Sequence, residues 1–156
     1  MSNVSPLCIH LSPTKQPMKT AYALALVLAF AAGPSVQAQE SQSIEKAEAA
    51  ATAWLLLVDA GNYSASWQQA SGLFRSAVSP QSWASAVQAA RSPLGELRSR
   101  EVQSASFSRS LPGAPDGEYV VIKYSSSFAN KASAVETVTP AKEKDGSWHV
   151  SGYYVR

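Results

Sequence analysis

Two side chains of this sequence could serve as a general base, Asp59 and His149. A base must lie within hydrogen-bond reach of the proton it removes, and His149 has Asp145 or Glu143 as acidic neighbours across a predicted hairpin. The alternative is an outward-facing histidine near the end of that hairpin. For Asp59 the alternatives are a carboxylate at the mouth of a pocket or a local turn with the backbone around Gly61. In both cases the residue types favour the structural alternative over catalysis.

A second group of residues has the chemistry to bind a ligand. Arg98 and Arg100 are two positions apart on one side of a predicted strand and could hold a carboxylate or a phosphate. They could also pair with acidic residues on neighbouring strands, namely Glu96, Glu101, Glu118 or Glu136. Most aromatic side chains belong in the core, but a subset could line an apolar pocket. The aromatic candidates for binding are Trp67, Trp83 and Tyr154.

Residue counts exclude several other kinds of site. Beyond residue 38 the chain has one histidine, His149, and no cysteine, because the only cysteine is Cys8. Zinc sites need several such ligands, so we predict no metal. The sequence also has no nucleophile-elbow serine and no glycine-rich phosphate loop. It therefore contains no strong catalytic signature, and no cofactor is expected.

The N-terminal region has the layout of a secretory signal peptide. Met18 and Lys19 form a short basic head, residues 21–32 are apolar, and Gly33–Pro34 interrupts the run before a small-residue motif that ends at Ala38. The apolar run is shorter than the roughly 20 residues that span a bilayer. We therefore predict a signal peptide over residues 18–38, cleavage near Ala38, a periplasmic or secreted protein, and no transmembrane anchor after cleavage.

Residues 1–17 do not look like any part of a signal peptide. Two interpretations stay open, an upstream start that is not the natural one and an unusually long n-region. Residues 39–156 are predicted to form a single domain, large enough for a core without disulfides. Lys15 and Lys19 leave with the leader, so the 13 Lys and Arg residues fall to the same number as the 11 Asp and Glu residues. A neutral domain lacks the basic excess of a nucleic-acid binder, so no nucleic-acid partner is expected.

The candidate residues must be positioned by helices that come first and strands that follow. Apolar residues at three- and four-residue steps predict a first helix from Ser43 to Val58 and a short second helix over Tyr63–Ala70. A further helix begins at Pro80, with Ser79 as its N-cap. The helical half therefore contains two to three helices.

Four extended stretches follow, joined by turn sequences such as Asp145–Gly146. In the first stretch the apolar and charged residues do not alternate regularly, which indicates a bent or bulged strand. Short connections between successive strands predict an antiparallel meander. The predicted fold class is α+β, with the N-terminal helices packed on a curved, cone-like sheet of four strands at Glu96–Ser110, Glu118–Phe128, Ala134–Lys144 and Ser147–Val155.

Short motifs spread over most of residues 39–156 carry a family resemblance. They are Ala53–Leu55, Val58–Tyr63, Ser66–Trp67, Leu73–Arg75, Trp83, Arg91–Gly95, Arg98–Arg100, Leu111–Gly113, Gly117–Tyr119, Phe128–Lys131, Gly146–Trp148 and Gly152–Tyr154. With them the chain resembles the bacterial domain of unknown function 4019, which implies no established activity and no catalytic residues. At fold level the helices and meander are similar to nuclear transport factor 2-like domains, with a cystatin-like arrangement as the alternative.

The functional expectation is an exported protein that binds without chemistry. Its partner is not identified by the sequence, and a small apolar ligand or another protein of the cell envelope is expected. The alternative is a small cone-fold enzyme, of the isomerase or dehydratase type, that uses Asp59 or His149 as its base. A homodimer formed through an uncovered part of the sheet is a further alternative.

Overall fold

The computed structural model describes residues 35–156, and within them the helices precede the strands. The predicted leader extension and most of the predicted signal peptide therefore lie outside the described residues. Within the described range, no helix is both long and apolar enough to span a membrane. The elements are α1 Val36–Asp59, α2 Tyr63–Gln68, α3 Gly72–Ala77, α4 Pro80–Arg91, a 3₁₀ turn Ser92–Leu94, β1 Leu97–Ser108, β2 Tyr119–Phe128, β3 Lys131–Lys142 and β4 Trp148–Val155.

Helix α1 begins at Val36, seven residues before the predicted start at Ser43. Its N-cap is Ser35, whose hydroxyl accepts a hydrogen bond from the Ala38 backbone N–H. The predicted cleavage after Ala38 would fall in the first turn of this helix. One stripe of α1 is buried against the rest of the domain, at Ala47, Ala51, Trp54, Leu55 and Val58.

The described residues contain four α-helices, one more than the upper limit of the prediction. The additional helix is α3, in a segment that the sequence indicated only as a continued apolar signal. Its N-cap is Ser71, whose hydroxyl accepts from the Phe74 N–H at 3.0 Å. The predicted start of α4 is confirmed, since Ser79 caps it and Pro80 is its first residue.

The four strands form one open antiparallel sheet in the order β1-β2-β3-β4, which confirms the predicted meander and the α+β class. Strands β1 and β4 are therefore the two edges. Strand β1 is irregular in two places, at Arg98 and at Gln103, where the pairing with β2 shifts by one residue. These irregularities confirm the predicted bulged strand.

The core lies between the helices and one face of the sheet, and an aromatic group fills its centre. The indole N–H groups of Trp54 and Trp83 both bond to Ser66, at 2.7 Å to its carbonyl and 2.9 Å to its hydroxyl. The two indole rings are 5.5 Å apart. Buried tryptophans normally find such partners for their N–H groups. Ser66 therefore joins α1 and α4 through α2.

The turn between β2 and β3 docks on the connector between α4 and β1. The backbone N–H of Ala129 donates to the Glu96 carbonyl at 2.8 Å, and that of Asn130 donates to the Leu94 carbonyl at 2.9 Å. Gly95 lies between the two acceptors with φ +76° and ψ −160°, a conformation that is essentially restricted to glycine. The docking fixes the end of α4 relative to the sheet.

Candidate functional site

Four charged side chains meet between the helices and the sheet. Together with the two residues whose hydroxyl groups bond to them, Ser126 and Tyr153, they form what we call the charge cluster. Asp59 ends α1 and Arg91 ends α4, while Arg100 comes from β1 and Glu136 from β3. All four side chains are largely buried, with Glu136 fully so. The complete cluster consists of Asp59, Arg91, Arg100, Ser126, Glu136 and Tyr153.

Glu136 is the centre of the charge cluster. Its Oε2 accepts from the Arg100 Nε at 2.7 Å and from the Ser126 hydroxyl at 2.6 Å. Its Oε1 accepts from the Arg91 Nη1 at 2.9 Å and from the Tyr153 hydroxyl at 2.7 Å. A fully buried carboxylate is tolerated only when it is paired and hydrogen-bonded in this way.

Asp59 completes the charge balance at the outer side of the cluster. Its Oδ1 accepts from the Arg91 Nη2 at 2.5 Å, and its Oδ2 accepts from the Arg100 Nη1 at 2.7 Å. The local turn proposed from the sequence does not form, because the Gly61 N–H donates to the Val58 carbonyl instead. Asp59 therefore connects α1 to α4 and β1.

The arginines control the ionisation of their neighbours. Burial alone would raise the pKa of Asp59, but hydrogen bonds and charge from Arg100 and Arg91 outweigh it and lower that pKa. Burial alone would lower the pKa of Arg100, yet Asp59 and Glu136 raise it. Burial and the charge of Glu136 raise the pKa of Tyr153, which stays protonated and donates. Two cations and two anions thus make a cluster with no net charge.

An open cleft of about 310 Å³ borders the charge cluster and is lined by Asp59, Arg91, Tyr63 and Glu96, among others. A general base needs a lone pair that is free to accept a substrate proton. Both oxygens of Asp59 are already engaged by arginines, and its pKa is lowered. The arrangement therefore supports a structural role for Asp59 more than proton abstraction.

His149 lies elsewhere, in a surface cleft of about 410 Å³ beside α3 and the β3–β4 turn. Its Nδ1 is 2.9 Å from the Gln69 carbonyl, an acceptor, so that nitrogen carries a proton. Its Nε2 is 3.1 Å from the Ser147 hydroxyl, which donates to Asp145 at 2.5 Å. The serine separates the histidine from the acid, whereas in a catalytic triad the histidine is in the middle.

Arg98 and Arg100 do not form a joint site. Arg98 occupies the first bulge of β1, and its side chain is 62 % exposed, 3.7 Å from Glu96. Arg100 points into the charge cluster and pairs with Glu136. Both arginines pair with glutamates named in the prediction, but Glu96 is two residues before Arg98 and Glu136 lies on β3, which is not adjacent to β1.

The aromatic candidates divide into core and surface. The Trp67 indole N–H donates to the Val78 carbonyl at 2.7 Å, which fixes α2 against the C-cap of α3. Trp83 is 5 % exposed and Tyr154 is 61 % exposed. These two line a cleft of about 220 Å³ between α4 and β4, which we call the α4–β4 cleft. Two of the predicted binding residues therefore come together at this cleft.

A further opening is a groove of about 450 Å³ that the sequence did not indicate. It runs between α3, the loop after β1 and the C-terminal strand. We call it the apolar groove, and it is lined by Leu73, Phe74, Ala77, Val78, Leu111, Pro112, Gly113, Ala114, Tyr119, Thr139, Ser151, Gly152 and Tyr153.

Two cluster residues could have been recognised from the sequence by their positions. Arg91 follows Trp83 and Val87 at four-residue steps and so lies on the buried face of α4. Glu136 alternates with Ala134 and Val138 on the buried side of β3. A charged residue at a core position signals a buried partner. In residues 35–156 no group of three or more His, Cys, Asp or Glu side chains is arranged to hold a metal ion.

These features define an α+β domain in which an open four-stranded meander is joined to helices by a neutral charge cluster. The family model described as protein of unknown function, DUF4019, matches residues 50–153, from within α1 to within β4. The chain therefore belongs to this family. No curated protein and no solved structure matches the chain. The similarity to nuclear transport factor 2-like domains stays a prediction.

Proposed function

We propose that this protein is exported to the cell envelope and binds a small apolar ligand in the apolar groove without catalysing a reaction. The observation that carries the proposal is the composition of the groove. No Asp, Glu, Lys, Arg or His side chain lines it, and Leu, Phe, Val, Pro and Tyr side chains predominate. Its volume of about 450 Å³ lies within the usual range of small-molecule sites.

Three of the four side-chain hydroxyls that line the groove are engaged within the protein. The Ser151 hydroxyl donates to the Thr139 carbonyl at 2.7 Å, and the Tyr119 hydroxyl donates to the Pro115 carbonyl at 2.7 Å. The Tyr153 hydroxyl donates to Glu136 in the charge cluster. A ligand that offers many hydrogen-bonding groups would find few partners here. Affinity would come from burial of apolar surface, about 25 cal/mol per Å².

The enzymatic alternative has less support from the site geometry. Asp59 is held as a carboxylate by two arginines, and His149 lines a different cleft in which its Nδ1 donates to a backbone carbonyl. Neither residue lines the apolar groove. A base in either position would have to act on a substrate bound outside the apolar groove.

Binding can be tested with the neutral apolar dye N-phenyl-1-naphthylamine, whose fluorescence rises in apolar surroundings. The wild-type protein should give a saturable rise. Ala77→Phe places an aromatic ring in the groove at an exposed position of α3 and should weaken binding about tenfold, which corresponds to about 1.4 kcal/mol.

The matched control is Ala89→Phe, an equal change at an exposed position of α4 that does not line the groove. It should bind the dye as the wild type does. The proposal fails if the wild type gives no saturable signal, or if both variants behave alike.

A further inference from the structure

Strand β4 has an open edge at its C-terminal end. Arg156 and Val135 exchange two backbone hydrogen bonds, of 3.1 and 3.0 Å, so Arg156 faces β3. In an antiparallel ladder, residues that face one neighbour alternate with residues that face away from it. Val155 and Tyr153 therefore direct their backbone N–H and C=O groups outward. Within residues 35–156 no turn, loop or cap hydrogen bond reaches these groups.

The other half of the same edge is covered. The Val150 carbonyl accepts a hydrogen bond from the Ser71 N–H at 2.8 Å, so the connector between α2 and α3 occupies the edge there. A shift in pairing follows at Ser151, where β4 has one more residue than β3. The open edge is consequently the five residues Gly152–Arg156.

Between the bulge at Ser151 and the charged Arg156, this open edge lacks the devices by which proteins protect their sheet edges. Such devices are lysines, prolines, bulges and inward-pointing charges. Residues 152–155 carry no charge and no proline, and the neighbouring α4 carries only Arg91, which is paired in the charge cluster. The opposite edge, β1, has two bulges and three charged residues, Arg98, Arg100 and Glu101. One edge is thus protected, and the other is left able to accept a strand.

We infer that the occupant of the open edge is the same edge of a second copy of this chain. Pairing is antiparallel about a two-fold axis at Tyr154. Tyr153 then lies opposite Val155 of the second copy, and Gly152 lies opposite Arg156 of the second copy. This register uses all five open residues, and the connector at Val150 stops it from extending further.

Three features favour a second copy over an unrelated strand. Under two-fold symmetry, the outward backbone N–H and C=O groups of Tyr153 lie opposite those of Val155 in the second copy, so that donors meet acceptors. An isologous contact requires such self-complementarity. No two like charges meet, because the only charged residue of the segment, Arg156, faces glycine. Tyr154, 61 % exposed in the single chain, gains a cross-strand aromatic partner, which stabilises antiparallel pairs.

The side chains of the inner face also fit this arrangement. Val155 alternates with Tyr154 and so projects to the same face as Tyr153. In the paired state, Val155 of the second copy lies beside Tyr153, at the mouth of the α4–β4 cleft. That cleft is lined by apolar side chains, with the small Ala86 and Ala90 on its α4 side. Gly152 and Tyr153 belong both to the open edge and to the lining of the apolar groove, so the two features adjoin at these residues.

The test uses charge complementation at the two-fold axis, measured by sedimentation equilibrium of the full chain at about 100 μM, since a small interface implies weak association. The wild type should approach twice the monomer mass. Tyr154→Lys and Tyr154→Glu each place like charges opposite each other and should remain monomeric. An equimolar mixture of the two variants should recover the dimer mass, because lysine then faces glutamate.

The matched controls are Ser125→Lys and Ser125→Glu, at an exposed position of the central strand β2, which should dimerise as the wild type does. Unchanged circular dichroism and thermal unfolding would show that the Tyr154 variants are folded. A monomeric wild type would overturn the inference. So would a dimer that survives both Tyr154 variants, or a mixture of those variants that stays monomeric.

Discussion

Glu136 and Asp59 show how single side chains determine the architecture of this domain. Glu136 is fully buried and accepts five hydrogen bonds of 2.6–3.1 Å from two arginines, a serine and a tyrosine. Removing one partner of such a buried pair typically costs about 3–5 kcal/mol, because a charge is left without compensation. The whole domain is stabilised by only about 5–15 kcal/mol. The charge cluster therefore specifies how the helices are positioned on the sheet.

Asp59 should make the stability of the protein depend on pH. Its pKa is lowered in the folded state from a usual value of 3.8, so its contribution is present above that value and is lost as the pH falls through the folded-state pKa. Urea unfolding at pH 7 should show Asp59→Asn to be less stable by at most about 3 kcal/mol, because Asp59 is partly exposed. The difference between variant and wild type should shrink below about pH 4.

The control for this titration is Asp116→Asn, which alters an exposed carboxylate in the loop between β1 and β2. It should change the free energy of unfolding by less than about 0.5 kcal/mol at either pH. A difference in the free energy of unfolding between wild type and Asp59→Asn that stays constant from pH 7 to pH 3 would contradict the assigned role of Asp59.

At the scale of elements, short connectors hold helices and strands in place relative to each other. Leu94 and Glu96, on either side of Gly95 in the connector after α4, accept two backbone hydrogen bonds from the β2–β3 turn. An ideal Cβ on Gly95 would lie 3.0 Å from the Asn130 Nδ2 and 3.2 Å from the Ala129 Cβ. The close approach of two backbones requires glycine here, in addition to its positive φ.

Gly95→Ala should therefore destabilise the protein more than an alanine at another positive-φ glycine. The matched control is Gly61→Ala, at φ +71° with no atom within 4 Å of the ideal Cβ, where only backbone strain of about 1–2 kcal/mol applies. Gly95→Ala should cost at least about 1 kcal/mol more in urea unfolding at pH 7. Equal losses would mean that the turn can move away from the connector.

Most elements were predictable because their signals are local. The Ser79–Pro80 start of α4 and the Asp145–Gly146 turn appear in the structure as predicted, and each strand end lies within about three residues of its prediction. Helix α3 was missed because six residues are too short to establish a period. The early start of α1 was missed because the signal-peptide pattern covers the same residues.

At the scale of the whole molecule, residues 35–156 form a domain with one protected and one open sheet edge, a neutral cluster in its interior and an apolar groove on its surface. The family match covers residues 50–153 and so includes the charge cluster and the apolar groove, but only Gly152 and Tyr153 of the open edge. The predicted leader precedes this region. The prediction of export can therefore be tested separately from the fold.

We expect the protein recovered from the periplasm or medium of a bacterial host to begin at or near Gln39, as measured by intact mass and N-terminal sequencing. Leu26→Arg interrupts the apolar run and should leave the protein unprocessed. Ser5→Arg, within the predicted extension, should have no effect. An unprocessed wild type, or a mature form that keeps residues 18–38, would contradict the predicted signal peptide.

The sequence by itself determined the order of helices and strands, the meander and the likeness to the family, because periodicity, caps and tight turns act between residues that are close in the chain. Only the tertiary structure decided which charges meet. Arg91 and Glu136 are 45 positions apart, and Arg100 and Asp59 are 41 apart. No local pattern joins such residues. Their pairing depends on how the helices pack on the sheet, which also leaves the edge of β4 and the apolar groove open.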